Sequence, residues 1–196
     1  EEFMKEYLGS QIRNVALLGH MGCGKTSLAE SMLFLGKGIA KKGEVERKNT
    51  VSDYLTEEQA RQTSLSTSLI PVEWNGYKIN ILDTPGSEEF IGEIENDLSV
   101  VDGAIVVIDS TKGVEVGTER VWEALRERNI PTIIFVNKMD LSGADRTALC
   151  EQLRRKLSGG CIDFRADDRD ENIAMCDETV LEKFLESGAV EHNDIL

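Results

Sequence analysis

Residues Gly19-His20-Met21-Gly22-Cys23-Gly24-Lys25-Thr26 fit the pattern G-x-x-x-x-G-K-[ST]. An apolar run, Val15-Ala16-Leu17-Leu18, precedes them, and a helical pattern, Ser27 to Leu35, follows. This feature constrains the fold more than any other, because it demands a strand, a tight loop and a helix in that order. Its glycines let backbone N–H groups curl around a phosphate, and the helix N-terminus adds partial positive charge. Gly19, His20, Met21, Gly22, Cys23, Gly24, Lys25, Thr26 and Ser27 are therefore the expected nucleotide-lining residues of the loop. Lys25 is expected to reach the β- and γ-phosphates, and Thr26 to offer its hydroxyl to Mg²⁺. The loop implies a nucleoside triphosphate without saying which base.

Two further motifs select the base. Asp83-Thr84-Pro85-Gly86 ends the apolar run Ile79-Asn80-Ile81-Leu82. An Asp at the tip of a buried strand can hold the Mg²⁺ shell, and the Gly86 N–H can meet the γ-phosphate. Asn137-Lys138-Met139-Asp140 ends a third run, Ile133-Ile134-Phe135-Val136. There Asp140 can accept two bonds from the ring N–H and exocyclic amine of guanine. Adenine lacks that donor pair, and mispaired buried polar groups are costly. Lys138 would lay its stem along the base, and Asn137 would brace the phosphate loop. Each motif alone has a bland reading as a turn or a solvated loop. Three in this order, each ending a strand, point to GTP and GDP with Mg²⁺.

Composition narrows the class. A chain of 196 residues suits one domain, or one domain with an appendage, and 40% hydrophobic residues can form a core. The net charge of −14 speaks against a broad nucleic-acid surface, which needs clustered Lys and Arg. Cys23, Cys150, Cys161 and Cys176 form no C-x-x-C pair and no zinc spacing, so they read as reduced thiols of a cytoplasmic protein. Cys23 opens a helix, where a thiol pKa can fall. It is expected to be alkylation-sensitive and shielded by nucleotide, against the alternative of a small residue that simply fits. No stretch is long and apolar enough to span a membrane, and no signal peptide is read. Glu1-Glu2-Phe3 precede Met4, the expected native start.

The first 140 residues alternate strand and helix. Strands are expected at Ile12–Leu18, Leu69–Trp74, Tyr77–Leu82, Gly103–Asp109 and Pro131–Val136. Helices are expected at Gly24–Leu35, Glu88–Val100, Val114–Asn129 and Ser142–Leu157, the last with Ser142 as a candidate cap. Asn75-Gly76 is a strong hairpin signal, so one strand pair is antiparallel. Lys37 to Ser68 is long and polar, with a short helical pattern near Thr56–Arg61, and loops of that length are usually functional. The fold class is α/β, a doubly wound, mostly parallel sheet with one antiparallel edge strand. In such sheets ligands sit at the carboxyl ends of strands, where all three motifs fall. The core is expected over 1–158. After Ser158-Gly159-Gly160 the chain turns charged and aperiodic over Asp163–Asn172, then helical over Asp177–Glu186 with Asp177 as cap.

These residues resemble a translational GTPase of the elongation factor G class. The shared phrases are Gly19-His20, Trp74-Asn75-Gly76-Tyr77-Lys78-Ile79-Asn80, Asp83-Thr84-Pro85-Gly86 and Gly113-Val114-Glu115-Val116. Thr118-Glu119-Arg120-Val121-Trp122 and Phe135-Val136-Asn137-Lys138-Met139-Asp140 are similar too. The resemblance covers about residues 11–150 and is closest to the divergent second-type elongation factor G proteins. Tetracycline-resistance ribosomal protection proteins are more distant. The resemblance implies a P-loop GTPase G domain that hydrolyses GTP as a switch on the ribosome. Lys25 and Gly86 would stabilise charge, and Thr26, Ser64 and Asp83 would serve Mg²⁺.

Four departures qualify it. The family's first switch has R-G-I-T; counting back from Asp83 puts Ser64 on its Thr and Arg61 on its Arg, with Thr63 the alternative ligand. The His that positions water after D-T-P-G is Ser87 here, followed by Glu88 and Glu89. His20 belongs to the phosphate loop and His192 to the tail, so slow intrinsic hydrolysis is expected, accelerated by a partner. Gly22 replaces an Asp, which weakens any expectation of potassium assistance. No S-A-[KL] loop follows Asp140, so 159–196 reads as the C-terminal portion of an incomplete G domain, with weakened affinity and an exposed apolar face. A monomer is expected. The rival readings are a nucleotide-gated binding module with negligible hydrolysis, a ribosomal protection-type factor, and an ATPase or metabolic kinase, which Asp140 disfavours.

Overall fold

Among the described residues the apolar runs assemble into one five-stranded sheet. The computed structural model describes residues 6–47, 49–52, 64, 66–86 and 96–190. Its strands are β1 (Ile12–Leu18), β2 (Ser68–Trp74), β3 (Tyr77–Asp83), β4 (Gly103–Asp109) and β5 (Thr132–Asn137). Their spatial order is β2-β3-β1-β4-β5. β1 pairs in parallel with β3 and β4, and β4 with β5, whereas β2 is antiparallel to β3. Asn75 and Gly76 both have positive φ, 46° and 82°, the left-handed pair that a two-residue hairpin matching the strand twist requires. Pro71 is tolerated in β2 because that strand is an edge.

Helix α1 (Lys25–Leu35) closes one face of the sheet. Its Ala29 and Leu33 pack with Leu17 of β1, Ile70 and Val72 of β2, and Ile81 of β3. Helix α2 (Val116–Glu127) buries Thr118, Val121 and Leu125, an i, i+3, i+7 stripe, and packs against β4. It is shorter than the expected Val114–Asn129. Glu115 is its extended N-cap, and at the other end Asn129 turns left-handed (φ 53°) while Ile130 N–H reaches the Leu125 carbonyl at 3.0 Å. Ile133 and Phe135 on one face of β5 remain exposed.

Parallel pairing brings the strand ends level. Leu17 is the register partner of Asp83, and Asp109 that of Asn137. The antiparallel β2 starts where β3 ends, with Ser68 opposite Asp83. Every motif that ends a strand therefore meets on one edge of the sheet.

The chain divides into two compact units, 1–144 and 145–196. The second holds α3 (Arg146–Lys156), α4 (Arg169–Ala174) and α5 (Glu178–Ser187). The cap of α3 is Asp145, whose carboxylate accepts the Ala148 N–H, rather than the expected Ser142. Gly143 at φ 95° places 142–144 in a turn before the helix. Asp177 caps α5 as expected, accepting from Thr179 and Val180. The end of the segment read as aperiodic, residues 169–172, forms the short helix α4 together with Ile173 and Ala174, and α4 packs on α5. The helical pattern near Thr56–Arg61, Arg61 and Thr63, Ser87 with Glu88 and Glu89, the first part of Glu88–Val100, and His192 lie outside the described residues.

Candidate functional site

The phosphate loop joins β1 to α1, and its shape rests on two close approaches. A Cβ on Gly19 (φ 138°) would lie 2.3 Å from the Val107 carbonyl oxygen of β4. One on Gly24 (φ 97°) would lie 2.3 Å from Asn137 Nδ2. Glycine is thus required by contact as well as by φ. Lys25 is buried, and its ammonium donates to the Gly19 carbonyl at 3.0 Å and the His20 carbonyl at 3.3 Å, so the cation arches over the loop. Gly86 comes from the far side: a Cβ there would stand 2.4 Å from Lys25 Nζ. Met21, Gly22 and Ser27 lie on the exposed side of the loop.

Three oxygen-bearing side chains converge beside Lys25. The Thr26 hydroxyl donates to Asp83 Oδ2 at 2.9 Å and lies 3.4 Å from the Ser64 hydroxyl. Asp83 is fully buried, and Ser64 is buried too. Thr84 fixes this strand end, donating its hydroxyl to the Leu17 carbonyl at 2.6 Å.

The third motif braces the first. Asn137 Nδ2 donates to the Cys23 carbonyl at 2.9 Å, and Lys138 Nζ to the Gly22 carbonyl at 2.8 Å. Lys138 adopts φ 61° and also ion-pairs with Asp109 Oδ2 at 2.7 Å. Burial pushes the Asp109 carboxyl up, but the Lys138 ammonium and the Thr111 hydroxyl and N–H outweigh it and hold the group at about 2. Ser110 Oγ donates to the Lys138 carbonyl at 2.8 Å, fixing the backbone of the turn. Asp140 stands exposed in that turn.

Asp109 and Ser110 were missed in the sequence. The signal was there, since Asp109 ends an apolar strand as Asp83 and Asn137 end theirs. His20 is braced from outside the loop: its Nε2 lies 3.5 Å from Glu115 Oε1, and Gly117 packs against its ring.

One expectation is overturned. Cys23 is not an activated thiol. It is 1% exposed, and burial raises its pKa; the nearby Lys25 charge lowers it without prevailing. Its backbone carbonyl, the Asn137 acceptor, is what the loop uses. All four cysteines are free. No helix among the described residues is long and apolar enough to cross a membrane.

A phosphate loop, a strand-end Asp beside its Thr, and an N-K-x-D turn braced on the loop define a guanine-nucleotide-binding G domain. The chain belongs to the family of the elongation factor Tu GTP binding domain, whose model matches residues 10–193. It is 40% identical over 184 residues to the mitochondrial ribosome-releasing factor 2 of Drosophila ananassae, covering 93% of this chain and 25% of that protein. The protein of the same name from Drosophila willistoni is 41% identical over 182 residues, covering 92% and 25%. The chain therefore spans about a quarter of the length of these relatives. A crystal structure of a Thermus thermophilus protein superposes with a TM-score of 0.78 at 30% identity, covering 95% of this chain and 35% of that one. Translation elongation factor SelB from Methanococcus maripaludis, solved with the GTP analogue GppNHp, shares the fold at a TM-score of 0.54 and 19% identity, covering 78% and 26%.

Proposed function

We propose that this chain binds GTP and GDP with Mg²⁺ and hydrolyses GTP to GDP and phosphate, as the switch of a factor acting on the ribosome. The observation that carries this reading is the meeting of three sequence-distant motifs at one loop. Thr26 touches Asp83 and Ser64, and Asn137 and Lys138 touch the carbonyls of Cys23 and Gly22.

The donor set fits the metal. Thr26 and Ser64 hydroxyls with the Asp83 carboxylate are hard oxygen ligands, the kind Mg²⁺ takes. Bound there, Mg²⁺ supplies neutralisation of charge on the phosphate oxygens. The chain's own groups do the rest. Backbone N–H groups of the loop and the α1 N-terminus cradle the phosphates, and the buried Lys25 ammonium faces their charge. Gly86, close to Lys25, offers its N–H to the γ-phosphate. Water oxygen attacks the γ-phosphorus, the bridging P–O bond breaks, its electron pair leaves on GDP, and the water's proton passes to an oxygen of the released phosphate. Lys25, Gly86 and the loop amides stabilise that charge without reorganising.

Slow hydrolysis in the isolated chain is the second reading, and two observations favour it. Ser87 stands where the resembling family has a water-positioning His. The imidazole of His20 is already engaged with Glu115. A ribosomal partner would then complete the site. The family and the names of the matched relatives support that partner. The free thiols fit a reducing compartment, and we infer a cytoplasmic or mitochondrial-matrix setting.

The test is competition binding of GDP, GTP, xanthosine diphosphate and ATP, with turnover measured with and without ribosomes. Guanine nucleotides alone should bind the wild type. Asp140→Asn should lower GDP affinity by about a hundredfold, as two bonds to a carboxylate are lost, and should favour xanthine, whose C2 oxygen accepts the new amide. Equal ATP binding sinks the guanine reading, and a turnover unmoved by ribosomes sinks the ribosomal one.

A further inference from the structure

Glu30 is 1% exposed in the middle of α1, and no step above uses it. It lies four residues after Thr26, on the same helix face. Both its oxygens accept backbone N–H groups from the polar loop that follows α1. Oε2 accepts from Gly43 at 2.9 Å, and Oε1 from Val51 in a short bond. Gly43 is pressed so closely that a Cβ would lie 2.9 Å from Glu30 Oε2 and 2.5 Å from the Asn49 carbonyl oxygen. One residue beyond Val51, the Ser52 carbonyl accepts the Ser68 hydroxyl at 2.8 Å, and Ser68 is the register partner of Asp83. Ser64, on the returning limb, lies 3.4 Å from Thr26.

A buried carboxylate is costly unless its oxygens are satisfied. An apolar side chain would fill the middle of α1 without that cost. What the carboxylate adds is a two-point tie between the helix that carries Lys25 and Thr26 and the limb leading to Ser64.

We propose that Glu30 is a positioning residue for the γ-phosphate arm of the site: it anchors the incoming limb of the loop that delivers Ser64 to Thr26 and Asp83. This rests on the guanine-nucleotide reading above. Val51 is held on Glu30 and the Ser52 carbonyl on Ser68 beside Asp83, so this part of the limb is fixed next to the site. Without the tie, the Gly43 and Val51 N–H groups lose their acceptor, and holding this part of the limb beside the site costs entropy. In this proposal Thr26 and Asp83 serve the metal with either nucleotide, while Ser64 joins them only when the γ-phosphate is bound, so the tie discriminates between the two nucleotides.

The experiment measures Mg²⁺-dependent affinities for GDP and for a non-hydrolysable GTP analogue on the full chain, for wild type, Glu30→Gln and Ser68→Ala. Gln keeps the shape but turns an amide N–H₂ against a backbone N–H. The expected result is GDP affinity within about twofold of wild type and analogue affinity reduced about tenfold, the scale of a lost bond to a charged group. Ser68→Ala should give the same signature more weakly, and it decides the matter should Glu30→Gln not fold. Unchanged analogue affinity, or equal losses for both nucleotides, overturns the proposal, the latter by making Glu30 a purely structural residue. A wild type that binds neither nucleotide defeats the guanine reading itself, and it shows before any variant is compared.

Discussion

At the scale of single residues the site depends on charges that hold other residues in place. Lys138 is the clearest case. Its ammonium bridges the Gly22 carbonyl and Asp109, so the stem expected along the base is fixed by an ion pair at the end of a neighbouring strand. Asp109→Asn keeps the size of the side chain and removes the charge. Lys138 is one-third exposed, so the loss is screened, and about 1 kcal/mol of nucleotide affinity should go, roughly fivefold in the GDP dissociation constant. The phosphate contacts should survive, so a fluorescent GDP analogue should leave faster while Mg²⁺ dependence stays as in wild type. An unchanged dissociation rate would show that Asp109 only stabilises the end of β4. Cys23 makes the opposite point: its side chain looks reactive by position, yet burial silences it and only its carbonyl is used.

At the scale of elements, the junction of α1 with β5 is where packing and site coincide. Gly24 caps α1 in the left-handed region and touches Asn137 Nδ2, whereas Gly76 in the hairpin is equally left-handed with nothing within 4 Å of a Cβ. The pair separates backbone strain from contact. Gly76→Ala should cost about 1 kcal/mol, the left-handed penalty alone. Gly24→Ala should cost about 3 kcal/mol, because it also drives Asn137 off the Cys23 carbonyl and leaves that acceptor unpaired. Urea unfolding of both variants checks this, and equal losses would deny the cross-brace any energetic weight.

The same elements mark how far sequence reaches. β1 and β4 are bounded as their apolar runs are, because a parallel strand buried on both faces announces itself. The hairpin followed from Asn75-Gly76. The ends of α2, the cap of α3 and the six-residue α4 did not, since each is set by a local turn or a stretch too short to show a period. In the site, residues inside contiguous motifs were legible. Asp109 and Glu30 act across 29 residues, to Lys138, and across 13 and 21, to Gly43 and Val51, and such pairings exist only once the sheet has formed.

At the scale of the whole chain, acidity and ion pairing act in opposite directions, and pH separates them. The chain carries 36 Asp and Glu against 22 Lys and Arg, a net charge of −14. Titrating carboxylates from neutral pH toward 4 relieves that repulsion and should raise stability slightly. Among the described residues, two carboxylates then reverse the trend. Asp109, in the first unit, is held at about 2 despite its burial by Lys138 and Thr111. Asp163, in the second, is held at about 2 chiefly by Arg146, whose Nε lies 2.5 Å away. Both lie below the ordinary 3.8, so folding favours the ionised form. Their stabilisation is fully present above 3.8 and is lost as pH falls from there through about 2, where the folded-state carboxylates take their protons and the ion pairs are broken. Denaturant unfolding between pH 7 and 2 should therefore pass through a shallow maximum near pH 4–5 and then fall steeply. Because the two carboxylates lie in different units, Asp109→Asn and Asp163→Asn should each flatten only part of the fall, and together most of it. A profile that declines steadily from pH 7, or a double variant that still falls steeply between pH 4 and 2, would show that general charge repulsion, and not these two pairs, sets the acid limit.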